Sequence, residues 1–202
     1  MYMKIKNFFE PIAALILLII LFPILILVVL LIYFLMGKPI IFKQQRTGLD
    51  GKPFIFYKFR TMKNISNYEK ENITDKERIT SLGSFLRESS IDELPSLFNI
   101  IKGQMSFVGP RPLLIEYLNL YSDKQMNRHN VKPGITGLAQ INGRNLVNWQ
   151  KKFDYDLEYI SNQSLLLDLK IIFYTIFKVL KREGINNSED NIMEKFKGNE
   201  KK

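Results

Sequence analysis

The chain has 202 residues, with 29 Lys and Arg against 20 Asp and Glu, a formal charge of +9, one histidine and no cysteine. That length suits one domain, and the lack of cysteine excludes a disulfide framework and any thiolate metal centre. The basic excess fits nucleic acid, anionic lipid or a phosphate-bearing substrate, and charge alone does not choose among them.

The N-terminus does choose. From Pro11 to Gly37 no residue is charged, and Leu, Ile and Val dominate. The run is too long for the apolar core of a secretory signal, and bulky Tyr33, Phe34, Leu35 and Met36 close it where small residues would precede cleavage. It reads as a retained anchor of about 40 Å as a straight helix. Pro23 sits near its centre and can kink it. Lys4 and Lys6 precede the run while Lys38, Lys43 and Arg46 follow it, so neither flank is marked as the outer side. A bent helix entering and leaving by one leaflet fits this symmetry, and a kinked spanning helix is the alternative.

Residues 39–61 predict two strands joined around Asp50-Gly51, a pair suited to positive φ. Alternation puts Phe54, Phe56, Lys58 and Arg60 on one face, either a solvated edge or a pair of cations beside two aromatics. Residues 64–78 are polar and without clean periodicity, which predicts a mobile loop or a short exposed helix. Helical patterns follow at about 80–88 and 93–103.

Between these two helices lies RESSIDELPSLF (87–98), where Asp92 and Glu93 stand side by side. Ser90 with Glu93 three residues on has the form of a capping box, which is the structural explanation of the acids. Pro95 weakens it: counted from Ser90 it deletes an internal helical bond, whereas counted from Asp92 it falls in the first turn at little cost. The pair is therefore free for chemistry, on a helix N-terminus that would favour its ionised form. Next, Gly109, Pro110 and Pro112 bracket Arg111 in a stiff turn that would present one guanidinium in a nearly fixed direction.

A helix is predicted around 113–127, then a Gly-rich polar stretch, 131–149, too long for a mere connector. Residues 164–182 form an amphipathic helix whose broad apolar face includes Leu165, Leu166, Leu169, Ile172, Phe173, Ile176, Phe177 and Leu180. Its cations suit anionic headgroups, and packing into the domain core is the plainer reading. The segment beyond Gly184 reads as a flexible polar tail.

The chain shows no phosphate-binding Gly-rich loop, no HExxH and no recognisable Ser-His-Asp motif, and a lone His129 among polar residues is more often structural. General-base chemistry falls to a carboxylate. A carboxylate pair with Lys58, Arg60, Arg87, Arg111 and Arg144 is the equipment of phosphoryl transfer, with a divalent metal such as Mg²⁺ neutralising the acids. Adjacent acids point in different directions, so one would be nucleophile and the other would bind metal or handle a proton.

The anchor with its central proline, YKFRTM (57–62), SSIDELPSLFNIIKGQMSFVGPRP (89–112), VKPGITGLAQINGR (131–144) and LLLDLKII (165–172) together resemble the small monotopic phosphoglycosyl transferases that begin bacterial glycoconjugate assembly. The resemblance covers about residues 5–182. It implies a mostly helical α/β, membrane-associated monotopic fold: a re-entrant anchor over 1–38, a cytoplasmic catalytic domain over 39–183 with a small β-hairpin and amphipathic interfacial helices, and the tail 184–202. It implies transfer of a sugar 1-phosphate from a UDP-sugar to a polyprenyl (undecaprenyl) phosphate with release of UMP, through an aspartyl phosphosugar and with Mg²⁺, at the inner membrane.

Carried over residue by residue, Asp92 is nucleophile and Glu93 its partner, both near the metal. Lys58, Arg87 and Arg111 would bind phosphate, Gln140 and Arg144 would lie near the nucleotide, and Arg60, on the Lys58 face, is a further substrate-binding candidate. The family breaks its anchor at a Ser-Pro pair. Here Phe22 replaces the Ser before Pro23, so the bend would rest on the proline and on docking of the domain. The chain looks most like members that start protein N-glycosylation with a diacetamido-trideoxy sugar. N-acetylhexosamine and galactose donors stay open, downstream glycosyltransferases are possible partners, and nucleic acid is not one. A non-catalytic membrane-surface module is the rival reading.

Overall fold

The computed structural model describes residues 2–64, 74–143, 147–181 and 195–199. Helix α1 (Tyr2–Met36) leads into a hairpin of β1 (Ile41–Thr47) and β2 (Pro53–Phe59), then the short α2 (Asp75–Arg78) and α3 (Ser81–Glu88). A 3₁₀ segment, Ile91–Ser96, runs into α4 (Leu97–Ile101), and β3 (Ser106–Val108) follows. Beyond a second 3₁₀ segment (Ile115–Leu120) come α5 (Asp123–Met126), a 3₁₀ turn (Asn127–His129), β4 (Gly134–Thr136), α6 (Leu138–Ile141), α7 (Trp149–Ser161) and α8 (Leu165–Leu180).

The hairpin has the expected chemistry at its turn, where Asp50 (φ 55°) and Gly51 (φ 72°) take the left-handed conformation. Its register pairs Phe42 with Lys58, Gln44 with Phe56 and Arg46 with Phe54. β4 is a short extended piece in the Gly-rich stretch; its parallel pairing with β3 is not readable in the sequence, since strands of three residues carry no alternation. The expected helix over 113–127 is two pieces. Tyr121 is extended (φ −75°, ψ 144°), and Ser122 with Gln125 forms a capping box that starts α5 afresh.

α1 packs along its whole length through one stripe. Lys6, Ala14, Val28 and Ile32 are buried, and Leu17, Leu18, Leu25, Val29 and Met36 are partly so. The first half meets Phe54, Phe56, Leu97, Ile100 and Met105; the second meets Phe59, Leu86, Leu82 and Ile91. The helix runs unbroken through Phe22 and Pro23, where a break was expected. Pro23 lacks the N–H that the carbonyl of Ile19 would accept, and docking on both sides of that gap offsets the loss.

From Ile12 to Leu35 the other face of α1 is apolar and exposed, with Phe34 at 77%. α8 presents the same inversion: Asp168 and Ile171 face the domain, while Leu165, Leu166, Leu169, Phe173, Ile176, Phe177 and Leu180 face out. Its apolar face is thus not core. Within the segment expected to be a flexible tail, residues 195–199 are described, and Phe196 is buried against Tyr117, Tyr121, Trp149 and Phe153.

Candidate active site

Asp92 and Glu93 lie in the 3₁₀ segment, not in a regular helix, which begins only at Leu97. Ser90 is not a side-chain cap. It adopts φ 56°, and its carbonyl accepts from Glu93 N–H at 3.3 Å. Pro95 and the Ser96 hydroxyl, which donates to the Glu93 carbonyl at 2.6 Å, close the turn instead. The dyad thus stands in the first turn of a 3₁₀ segment that leads into α4, without a side-chain cap.

The two carboxyls are unequal. Glu93 Oε1 accepts from Lys58 Nζ at 2.5 Å and from Arg111 Nη2 at 2.7 Å. Burial alone would raise its pKa, but Arg111 and Lys58 reverse that and hold it below the usual carboxylate range. Asp92 is 6% exposed and its one described cation contact is Lys58 Nζ, 3.5 Å from Oδ2. Burial pushes its carboxyl up, against the attraction of Lys58, and the charge on Glu93 adds to the rise.

Lys58 reaches the dyad from β2, over the face of Phe56 at 5.5 Å. Arg87, at the end of α3, donates through Nε to the Thr61 hydroxyl at 2.9 Å and lies near enough to Asp92 to lower its pKa. Arg111 is held by its backbone. Four successive carbonyls accept from four places: Pro110 from Gly134 N–H (2.9 Å), Arg111 from Arg128 Nη2 (2.8 Å), Pro112 from Arg46 Nη1 (3.4 Å), and Leu113 from the N–H and hydroxyl of Thr47 (3.0 and 2.9 Å). The stiff Pro-Arg-Pro turn read in the sequence is clamped from outside as well.

Arg60 goes elsewhere. Its guanidinium donates to the carbonyls of Met36, Gly37 and Lys38, closing the C-terminal end of α1. Gln140 sits in the Gly-rich stretch with both amide atoms buried and unpartnered among the described residues. Arg144 lies outside the described residues.

Sequence reasoning missed Arg46. Burial lowers its guanidinium to about 10 and Arg111 adds to that; Lys152 is likewise lowered to about 8 by burial and then by Arg111. Such mutual crowding of cations is relieved by an anion. The register could have located Arg46, because its pairing with Phe54 puts it on the Lys58 face. His129 is buried, with Nδ1 3.2 Å from the Gly48 carbonyl, and burial lowers it to about 4, so it is a structural neutral imidazole.

Among the described residues no three His, Cys, Asp or Glu side chains converge as a metal cluster. The donor set is one buried carboxylate and one clamped carboxylate. That suits Mg²⁺, which takes one or two carboxylates and completes its shell with water and substrate phosphate oxygens.

Three similarities bear on this arrangement. A curated Bacillus subtilis protein, "Uncharacterized sugar transferase EpsL", is 48% identical over 97% of each chain. The Klebsiella pneumoniae "UDP-glucose:undecaprenyl-phosphate glucose-1-phosphate transferase" is 44% identical over 87% of this chain and 40% of its own length. The Salmonella typhimurium "Undecaprenyl-phosphate galactose phosphotransferase" is 37% identical over 89% of this chain and 41% of its own. The chain thus spans nearly all of the first relative and about two fifths of the others. The profile of the bacterial sugar transferases matches residues 1–182, and the chain belongs to that family.

Proposed function

We propose that this protein transfers a sugar 1-phosphate from a UDP-sugar to a polyprenyl phosphate at the cytoplasmic face of a bacterial membrane. The observation that carries the reading is the inequality of the dyad: Glu93 is clamped by Lys58 and Arg111, and Asp92 is buried and more weakly held. A weakly paired carboxylate in a desolvated site is a better nucleophile than a doubly paired one. Asp92 attacks the phosphorus that bears the sugar, the bond to UMP breaks, and an aspartyl phosphosugar remains. The acceptor phosphate then attacks the same phosphorus and releases the carboxylate. Lys58, Arg87 and Arg111 take the phosphate charge, and Arg46 and Lys152 extend that field. Asp92 and Glu93 would hold Mg²⁺, which supplies charge neutralisation between the acids and the donor's phosphates.

Both ends of α1 are tied by polar contacts to one domain: Lys6 to Asp168 (2.6 Å) and the Val108 carbonyl (2.8 Å), and residues 36–38 to Arg60. Opposite sides of a bilayer lie about 30 Å apart, so a spanning α1 would carry the domain's charged surfaces through lipid. This supports a monotopic anchor with the exposed faces of α1 and α8 in the membrane. A pocket of about 270 Å³ lined by Ile41, Lys43, Tyr57, Pro95, Phe98 and Lys102 combines apolar walls with two cations and suits a phosphate-headed lipid.

The relatives' names favour a glucose or galactose donor over the diacetamido sugar. The test is a panel of UDP-sugars with Mg²⁺ and polyprenyl phosphate. UMP release with one hexose donor is expected, together with a phosphosugar on Asp92 by mass spectrometry of the quenched protein. No release across the panel would favour the non-catalytic surface module, and an adduct on Glu93 would reverse the roles. Trypsin should reach both ends of α1 from one side only of sealed vesicles.

A further inference from the structure

Arg128 and Asp156 form an ion pair 3% and 4% exposed, with Arg128 Nε and Nη2 at 3.0 and 2.8 Å from Asp156 Oδ2. The guanidinium packs against the contacting ring pair of Tyr121 and Phe153, 5.8 Å from each centroid. Such a pair is a poor source of stability, because desolvating two charges costs about as much as their attraction returns, and apolar residues of similar volume often do as well. Stability alone therefore does not explain it. What apolar residues cannot do is donate, and Arg128 Nη2 donates at 2.8 Å to the carbonyl of Arg111.

We propose that Arg128, oriented by Asp156, is a positioning residue that fixes the direction of the Arg111 guanidinium. The Arg111 side chain is 45% exposed, so packing constrains it little and its aim depends on its backbone together with the bond to Glu93. The neighbouring carbonyls are held by Gly134, Arg46 and Thr47, and among the described residues Arg128 alone holds the peptide plane of residue 111 itself. Without that bond the carbonyl is unsatisfied in the interior, a penalty of about 1–3 kcal/mol that a tilt of its plane, within the narrow φ range the Pro112 ring allows, would relieve in part. Turning it swings Arg111 off Glu93. An error of about 1 Å in such a group can cost on the order of 100-fold in rate.

The inference rests on the proposed role of Arg111, and its test separates the two. Arg128→Lys keeps a cation for Asp156, but its shorter stem ends short of the Nη2 position from which both Asp156 and the Arg111 carbonyl are reached, and it lacks the second donor, Nε, that anchors the group on Asp156. We expect it to lower kcat/KM for the UDP-sugar by roughly 10- to 100-fold, the range that follows from such misplacement. In an Arg111→Lys background the same change should cost less than about threefold, because residues acting through one another are not additive. Equal losses in both backgrounds would overturn the proposal, and so would no loss in either if Arg111→Lys itself lowers kcat/KM. The guanidinium NMR signal of Arg111, slowed in exchange by Glu93, should broaden in Arg128→Lys, and its persistence would overturn the proposal whatever the kinetics. If the signal is lost but Arg111→Lys leaves kcat/KM unchanged, the positioning stands and the phosphate role of Arg111 fails. Should Arg128→Lys not fold, Arg128→Met with Asp156→Leu removes both buried charges and enters the same cycle.

Discussion

Lys58 Nζ stands 2.5 Å from Glu93 Oε1 and 3.5 Å from Asp92 Oδ2, so one cation divides a carboxylate pair into a firmly ionised member and a reluctant one. Burial raises Asp92, and Lys58 is the largest influence lowering it again. The nucleophile must be ionised, so kcat/KM should fall as pH drops through the raised Asp92 pKa, not at the ordinary carboxylate value. Lys58→Gln removes the opposing cation and should move that acid limb to higher pH, besides lowering the plateau. A pH profile of both proteins checks this; an unmoved limb would mean that Lys58 does not set the ionisation of Asp92.

The same shift has a sign for stability. A carboxyl whose pKa is raised by folding contributes stability below its unfolded pKa and loses it as pH rises through the folded one. Ionised Asp92 is therefore a liability at neutral pH. Asp92→Asn removes that liability while abolishing turnover, and Lys58 keeps Glu93 as partner. We expect the variant to melt at higher temperature than the wild type at pH 7, with the gain shrinking as pH falls through the raised Asp92 pKa and absent below the ordinary carboxylate value. A lower melting temperature at pH 7 would show the carboxylate to be stabilising where it stands.

What was legible in the sequence was whatever its own neighbours determine. The hairpin turn follows from Asp50-Gly51, the apolar α1 from an unbroken run, and the stiff presentation of Arg111 from two flanking prolines. Lys58 was read correctly as sharing a face with Phe56, since alternation is a local rule. What depends on distant partners was not legible. Arg60 shares that alternation yet caps α1, because the chain leaves the strand at Phe59. Lys6 reads as a charge flanking the apolar run and is instead buried, with three hydrogen-bond partners 102 to 162 residues away. The α8 pattern gave the right stripe, but periodicity cannot say whether that stripe faces protein or lipid.

Lys6 carries its own prediction. With Glu10 it completes the open edge of β3: Glu10 Oε1 accepts from Phe107 N–H at 3.0 Å, and Lys6 donates to the Val108 carbonyl. Asp168 gathers Lys6, Tyr2 and Tyr159. Lys6→Met leaves a buried carboxylate without its counter-ion, which costs about 3–5 kcal/mol, so melting should fall by on the order of 10 °C. Adding Asp168→Leu removes the orphaned charge and should recover most of the loss. Failure of the second change to recover anything would mean that the bond to Val108, not the ion pair, holds the end of α1.

Phe196 tests whether the C-terminal segment belongs to the domain. It touches Tyr117, Tyr121, Trp149 and Phe153 within ring-contact distance, and Asn199 exchanges hydrogen bonds with Gln125 at 2.7 and 3.0 Å. Phe196→Ala should cost about 3 kcal/mol, as for other buried aromatics, read as a loss of stability to denaturant. A free tail would give no change at all.

Gly83 gives the clearest contest of two effects. It lies inside α3, where replacing Gly by Ala ordinarily gains about 1 kcal/mol of helix propensity. A Cβ there would stand 1.9 Å from the Thr61 carbonyl oxygen and 2.7 Å from its carbon, both backbone, so α3 and the strand end must separate. Overpacking of that kind costs about 1–3 kcal/mol or more, and it outweighs the propensity gain. The separation also breaks the Arg87 to Thr61 bond that aims Arg87 toward Asp92. Gly83→Ala should therefore lose stability and transfer activity together, whereas Ser84→Ala, one residue on and without such a contact, should leave both near wild type. A stabilised, active Gly83→Ala would show that α3 is free to move away from Thr61 without disturbing the site.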